Sequence, residues 1–183
     1  MIEQRISADA AGALDLTVVI LTYNEARHIA RAIASVRGLA RDLLVVDSGS
    51  TDDTVAIAEA AGARVLVNPF VNQAKQFQFA LDTGAIRTAW ILRLDADEVI
   101  EPDLAATLAA EVPGLGPDVA GINFDRKHIF MGRWIRHGGR YPLRLLRMWR
   151  TGQGRIEDRW MDEHIVIWGG RTIKLAGGFA DVS

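Results

Sequence analysis

The chain has 183 residues, of which 49% are hydrophobic, 24% charged and none cysteine, with a formal net charge of -2. A domain of this size buries roughly 70% of its unfolded surface, so it needs no disulfide or structural zinc, and without cysteine it has no thiol nucleophile or thiolate ligand. No window reaches the roughly 20 apolar residues that span a bilayer, the first residues lack the pattern of a signal peptide, and the chain is expected to be cytoplasmic.

Residues 1–15 are polar and alanine-rich without a sustained period and read as a loose arm. Residues 16–21 form a continuous apolar and β-branched run, 25–36 place Ile29, Ala32, Ile33 and Val36 at helical spacing, and 43–46 form a second apolar run, which predicts strand, helix, strand. Asp52 or Asp53 is suited to cap a helix through Val55, Ile57, Ala58 and Ala61, stopped by Gly62, and 64–67 reads as a third strand. Residues 73–86 carry a helical stripe of Phe77, Ala80, Leu81 and Ala85, and 90–94 reads as a fourth strand. A helix over 103–110 closes at Pro113-Gly114, and 119–124 and 143–149 read as further strands. The alternation predicts an α/β domain, a mostly parallel, Rossmann-like sheet flanked by helices, with strands buried on both faces.

Ligands of such sheets sit beyond the carboxyl ends of the strands. Those ends read Thr22-Tyr23-Asn24-Glu25, Asp47-Ser48-Gly49-Ser50 and Asp95-Ala96-Asp97-Glu98, so polar and acidic groups converge on one edge. Tyr23 offers a stacking face and Asp47 an acceptor for a base edge or ribose hydroxyl. Asp95 and Asp97 suit a hard divalent ion shared with phosphates, although such a pair alone is as often a helix cap and a salt-bridge partner. Charge is segregated along the chain: residues 1–125 carry 9 basic and 18 acidic side chains, 126–159 carry 10 and 2, and 160–183 carry 2 and 3. The basic stretch suits phosphate, an anionic lipid surface or a solvated face paired with the acidic part. No nucleic-acid-binding motif accompanies it, and nucleic acid is not an expected partner.

Three blocks together, Val19-Ile20-Leu21-Thr22-Tyr23-Asn24-Glu25, then 45–54, then Leu92-Arg93-Leu94-Asp95-Ala96-Asp97-Glu98, resemble glycosyltransferase family 2. The resemblance implies a GT-A fold, a nucleotide-sugar donor with UDP-sugar favoured, Mg2+ or Mn2+, and inversion at the anomeric carbon by direct displacement. It places Thr22, Tyr23 and Glu25 around the nucleoside, Asp47 on the base, Asp95 near ribose and metal, and Asp97 on the metal. Gln76 is the one match to the family's run at the third helix, with Lys75 beside it. Glu163 aligns with the general base, with Asp162 as the alternative, and Glu98 reads as a structural partner.

Residues 1–125 are thus expected to bind the donor and 126–183 to face the acceptor within one domain. The runs 72–77 and 160–164 resemble bacterial enzymes that build lipopolysaccharide core or exopolysaccharide, which implies a saccharide or lipid-linked glycan acceptor. Residues 126–159 are the candidate for peripheral contact with the inner face of the membrane. Relatives of that kind run longer, so a C-terminal truncation is expected. A catalytically impaired nucleotide-sugar-binding module is the alternative, and a haloacid dehalogenase-like phosphatase using Asp95 and Asp97, with Lys127 or Lys174, explains fewer of the residues.

Overall fold

The computed structural model describes residues 12–137, 141–157 and 164–182. In chain order the elements are β1 (Leu14–Thr22), α1 (Ile29–Val36), β2 (Ala40–Asp47), α2 (Thr54–Ala60), β3 (Arg64–Val67), α3 (Gln73–Thr83), β4 (Trp90–Asp95), β5 (Glu98–Ile100) and α4 (Pro102–Glu111). A 3-10 turn (Val112–Gly114) leads into β6 (Val119–Phe130), β7 (Arg133–Trp134), β8 (Leu143–Arg150), β9 (Gly154–Ile156), β10 (Ile165–Ile167) and β11 (Arg171–Val182).

The main sheet has the order β3-β2-β1-β4-β8-β6-β11-β5, with β7 paired to β6, while β9 and β10 form a separate hairpin. β3, β2, β1 and β4 are parallel, as connections through helices require. Beyond β4 the sheet becomes mixed. β8 runs antiparallel to both β4 and β6, β11 runs parallel to β6, and β5 closes the edge antiparallel to β11. The expectation of a mostly parallel sheet therefore describes its first four strands.

Alternation along β1 divides the core into two layers. Leu16, Val18 and Ile20 pack with Ile29, Ile33, Leu104 and Leu108 under α1 and α4. Val19 faces the other way and joins Leu44, Val46, Phe77 of α3 and Trp149 of β8, with the Phe77 and Trp149 rings 5.6 Å apart. A strand buried on both sides is apolar where it meets both layers, which is why Val18, Val19 and Ile20 carry no polar alternation, and the buried Thr17 hydroxyl is satisfied by Asp42 and Thr88.

Several boundaries differ from expectation for local reasons. β1 begins inside the expected arm, since Leu14 donates to the Leu39 carbonyl and pairs with Ala40. α1 starts at Ile29 rather than near Glu25, because Asn24 is left-handed (φ 53°) and the chain turns through Glu25 to His28 first. α3 ends at Gly84, and Ala85 (φ 49°) cannot continue a helix. β6 runs six residues past its expected end, and β11 has no counterpart in the sequence reading. Two glycines disguise β11: Gly177 (φ 91°) lies where a Cβ would come within 2.7 Å of the Leu104 backbone, so the close packing of α4 on β11 needs a residue without one.

Between β2 and β3, Arg64 donates two hydrogen bonds to Asp42, 3.0 and 2.6 Å, and Thr17 adds a third at 3.1 Å. Burial pushes the Asp42 carboxyl up, but Arg64 and Thr17 outweigh it and hold the group below its usual range. A depressed folded pKa contributes stability above the unfolded value near 3.8 and loses it as pH falls through the folded one. Asp42→Asn is therefore expected to melt below wild type at about pH 6, with the gap narrowing at about pH 3, as read by thermal unfolding.

Candidate active site

Two loops at the carboxyl edge of the parallel strands are tied together by the polar residues of the β2–α2 turn. Ser48 donates its N–H to the Thr22 carbonyl at 3.0 Å. The Ser50 hydroxyl accepts from Asn24 N at 2.8 Å, Asn24 Oδ1 accepts from Thr51 N at 2.9 Å, and the Thr54 hydroxyl accepts from Glu25 N at 2.8 Å. Asp52 accepts from both Thr54 N and Ala26 N, so it organises the start of α2 and steadies the opposite loop, while Asp53 makes no side-chain cap bond. Asp47 is fully buried and accepts from Gly49 N, Ser50 N and the Ser50 hydroxyl at 2.8, 2.7 and 2.5 Å. Its carboxylate is thus engaged in folding its own turn, an arrangement typical of aspartate at such positions.

Beside these loops opens a cleft of about 580 Å³. Thr22, Tyr23 and Glu25 line it from the end of β1, Ser48 from the end of β2, and Asp95 and Asp97 from the end of β4. α3 contributes Gln73 and Gln76, and the loop before it contributes Phe70. Gln76 is buried and pinned by Asn68 Nδ2 at 2.8 Å, with its own Nε2 on Ser48 Oγ at 3.1 Å and the Asn68 carbonyl at 3.0 Å. Glu25 bonds His28 Nδ1 at 2.7 Å, and Tyr23 and Phe70 present more than half of their surface to solvent. Thr22 is buried, yet its hydroxyl makes no hydrogen bond among the described residues.

The acidic turn between β4 and β5 rests on two buried arginines. Arg147 of β8 pairs with Glu98 at 2.8 Å and Asp95 at 3.4 Å, and its guanidinium lies 5.1 Å from the centre of the Phe179 ring. Arg93 reaches Asp95 at 3.5 Å and Gln73 Oε1 at 2.9 Å. Glu98 also accepts from Asp95 N at 2.9 Å, which closes the turn. Burial pushes Asp95 up, but Arg147 and Arg93 prevail and it titrates below its usual range. Burial pushes Glu98 up to about 7 against the opposing pull of Arg147. Asp97 is raised by burial and by Asp181, Asp95 and Glu25, with no cation paired to it among the described residues.

The structure therefore brings Thr22, Tyr23, Glu25, Gln76, Asp95 and Asp97 into one cleft, and leaves Asp47 beneath it. Glu98 is structural, as expected. Glu163 and Asp162 lie outside the described residues. Sequence reasoning missed Phe70, Gln73, Arg93, Arg147 and Asp181, whose relevance depends on strand pairing; only the charge of the basic stretch hinted at Arg147. The phosphatase alternative lacks its lysine: Lys127 pairs with Glu101 and Lys174 with Asp125. Among the described residues no three His, Asp or Glu side chains converge into a metal cage. Asp97, which makes no ion pair among the described residues and has Asp95 nearby, still fits a cation that takes its remaining ligands from a phosphate group, the usual state of magnesium.

The profile described as glycosyl transferase family 2 matches residues 17–173. The chain is 47% identical over 89 residues to an uncharacterized glycosyltransferase of Rickettsia felis, covering 49% of this chain and 31% of that one. It is 30% identical over 149 residues to the lipopolysaccharide core biosynthesis glycosyltransferase LpsC of Rhizobium meliloti, covering 79% and 54%. It thus spans about a third to a half of the length of these relatives. The crystal structure of mannosyl-3-phosphoglycerate synthase from Rubrobacter xylanophilus superposes with a TM-score of 0.51 at 23% identity, over 63% of this chain and 40% of that one, a likeness of fold.

Removing Arg147 strands the Glu98 carboxylate in a dry site. Arg147→Met is expected to cost about 3–5 kcal/mol in urea unfolding at about pH 8. An acid whose folded pKa is raised favours the folded state at low pH and disfavours it as pH rises through that value, so the loss should shrink at about pH 5. Adding Glu98→Gln should restore part of it at the higher pH.

Proposed function

Because this chain belongs to glycosyl transferase family 2, we propose that it moves a sugar from a nucleoside-diphosphate donor, UDP-sugar by preference, to a saccharide or lipid-linked acceptor of the bacterial surface. Residues 1–125 bind the donor in this reading and 126–183 face the acceptor. The observation that carries it is the cleft itself, in which Thr22, Tyr23, Glu25, Gln76, Asp95 and Asp97 come together from β1, α3 and β4, with no ion pair made by Asp97 among the described residues. Tyr23 and Phe70 offer exposed aromatic faces to a nucleobase, and Glu25 an acceptor beside them.

Asp97 and Asp95 would hold Mg2+ or Mn2+ against the diphosphate. Such a cation neutralises charge on the departing nucleoside diphosphate without a proton transfer. Arg147 and Arg93 keep Asp95 ionised and the turn in place. Glu163, with Asp162 as the alternative, takes the proton of the acceptor hydroxyl as its oxygen bonds the anomeric carbon and the bond to the diphosphate breaks, which inverts the centre. The names of two Rhizobium relatives, one in lipopolysaccharide-core and one in succinoglycan biosynthesis, support a lipopolysaccharide-core or exopolysaccharide acceptor.

Thermal-shift titration with UDP, GDP and CDP, each with and without Mn2+, tests the donor site. At about 100 times Kd a ligand adds about 2.7 kcal/mol, several degrees for a chain of this size. A shift selective for one base and dependent on metal is expected. Asp97→Asn should remove the metal dependence, and Thr22→Val should weaken binding without lowering the melting point of the free protein. Glu163→Gln should keep the shift and abolish transfer. No shift with any diphosphate sinks the donor assignment, and unchanged transfer by Glu163→Gln sinks the base.

A further inference from the structure

The β6–β7 hairpin carries features that the fold does not use. Phe130 pairs with Arg133 and Ile129 with Trp134, so the strands close through Met131 and Gly132 alone. Both turn residues have positive φ, 49° and 74°, the conformation of a tight primed hairpin turn. Asparagine or glycine normally fills the first of these positions, because a side chain with an unbranched apolar stem is strained there and gains nothing locally. Here it is methionine, and it is 82% exposed, above every other large hydrophobic side chain among the described residues. Phe130 beside it is 54% exposed. A strained, solvated apolar tip harms both the turn and its hydration, so its use lies outside the domain.

The charges around the tip are ordered along the hairpin. Nearer the sheet, cations are paired: Arg126 with Asp181, Lys127 with Glu101 and Arg144 with Asp125. Nearest the tip, Arg133 and Arg136 have no acidic partner among the described residues. Arg136 is held in place without losing its charge, its guanidinium 4.1 Å from the centre of the Trp134 ring, and Tyr141 meets that ring edge-on at 4.9 Å. The tip is thus an apolar point with a collar of unneutralised guanidinium groups behind it.

Its place in the sheet relates it to the cleft. β6 runs in the same direction as β4, since β8 is antiparallel to both, and the register sets Asp95 near the level of Phe124. Phe130 stands six residues further along, about 20 Å beyond the acidic turn at the rise of a strand and on the same edge.

We propose that Phe130 and Met131 insert into the interface of an anionic phospholipid bilayer, with Arg133 and Arg136 against the lipid phosphates, so that the cleft edge faces the membrane. The shape favours lipid over a protein partner. A convex tip two side chains wide offers far less than the roughly 800 Å² per partner of a stable interface, whereas a bilayer accepts a convex wedge and supplies the opposite charge. Of the cations in residues 126–159, Arg126, Lys127, Arg144 and Arg147 are neutralised by nearby acids, so the attraction rests on those near the tip, Arg133 and Arg136.

The test is co-sedimentation of the full chain with phosphatidylcholine vesicles, with or without about 30% phosphatidylglycerol, at low and high salt. Binding to the anionic vesicles alone, falling with salt, is expected. Each guanidinium near the surface is worth about a fivefold change in partitioning, so Arg133→Gln with Arg136→Gln should lower binding about 25-fold. Met131→Asn suits the left-handed turn, so it should keep or raise the melting temperature while reducing binding several-fold. Absence of wild-type binding overturns the proposal. Binding that depends on the arginines but not on Met131 overturns insertion, and loss of a dimer in Met131→Asn with vesicle binding intact assigns the tip to a second copy instead. None of these readouts involves a nucleotide or an acceptor, so they stand apart from the donor assignment.

Discussion

The guanidinium of Arg147 lies between Glu98 and Asp95 with the Phe179 ring against it, and nearly all of it is out of water. Isolated in such a place, either carboxylate would be uncharged or strongly destabilising, and so would the arginine. Together they hold a sharp turn after β4 in which Asp95 stays ionised, Glu98 caps the backbone and Asp97 lines the cleft with no ion pair among the described residues. The rest of the C-terminal half serves this arrangement. β8 brings Arg147 to the edge of the parallel strands, and β11 brings Phe179 and Asp181 alongside by pairing with β5.

The opposite wall of the cleft is built from hydrogen bonds rather than ion pairs. Asn24, Ser50, Thr51, Asp52 and Thr54 exchange bonds across the gap between two loops, and Asp47 is folded into the turn beneath them. Polar residues at a strand end invite a ligand-binding interpretation, yet most of those in the 47–54 segment satisfy backbone groups that would otherwise be orphaned. Thr22 is the exception at this wall, buried with a hydroxyl that makes no hydrogen bond among the described residues.

The two halves of the molecule differ in charge as well as in topology. The parallel half carries the acidic excess and the cleft, and the mixed half carries the basic excess, part of which crosses into the acidic turn through Arg147. Other cations of that half neutralise acids on neighbouring strands, as Lys127 does for Glu101 and Lys174 for Asp125. What remains unneutralised gathers at the hairpin tip, where charge and apolar exposure coincide. Among the described residues no helix is long and apolar enough to cross a membrane.

The sequence alone determined the βα alternation and the strand ends on which polar groups converge, which follow from periodicity and local order, since apolar runs and their capping residues are set by near neighbours. The choice of Thr22, Tyr23, Glu25, Gln76, Asp95 and Asp97 came with the resemblance to the family's motif blocks, and all six line the cleft. Tertiary structure decided how each carboxylate is held: Asp47 is engaged by its own turn, Asp95 pairs with an arginine 52 residues on, and Asp97 makes no ion pair among the described residues. It also decided the mixed half of the sheet, where β11 pairs with β6 and β5 across long stretches of chain and its glycines mask the strand pattern. Strand pairing and the burial of charge are long-range properties, and no local pattern in a single chain encodes them.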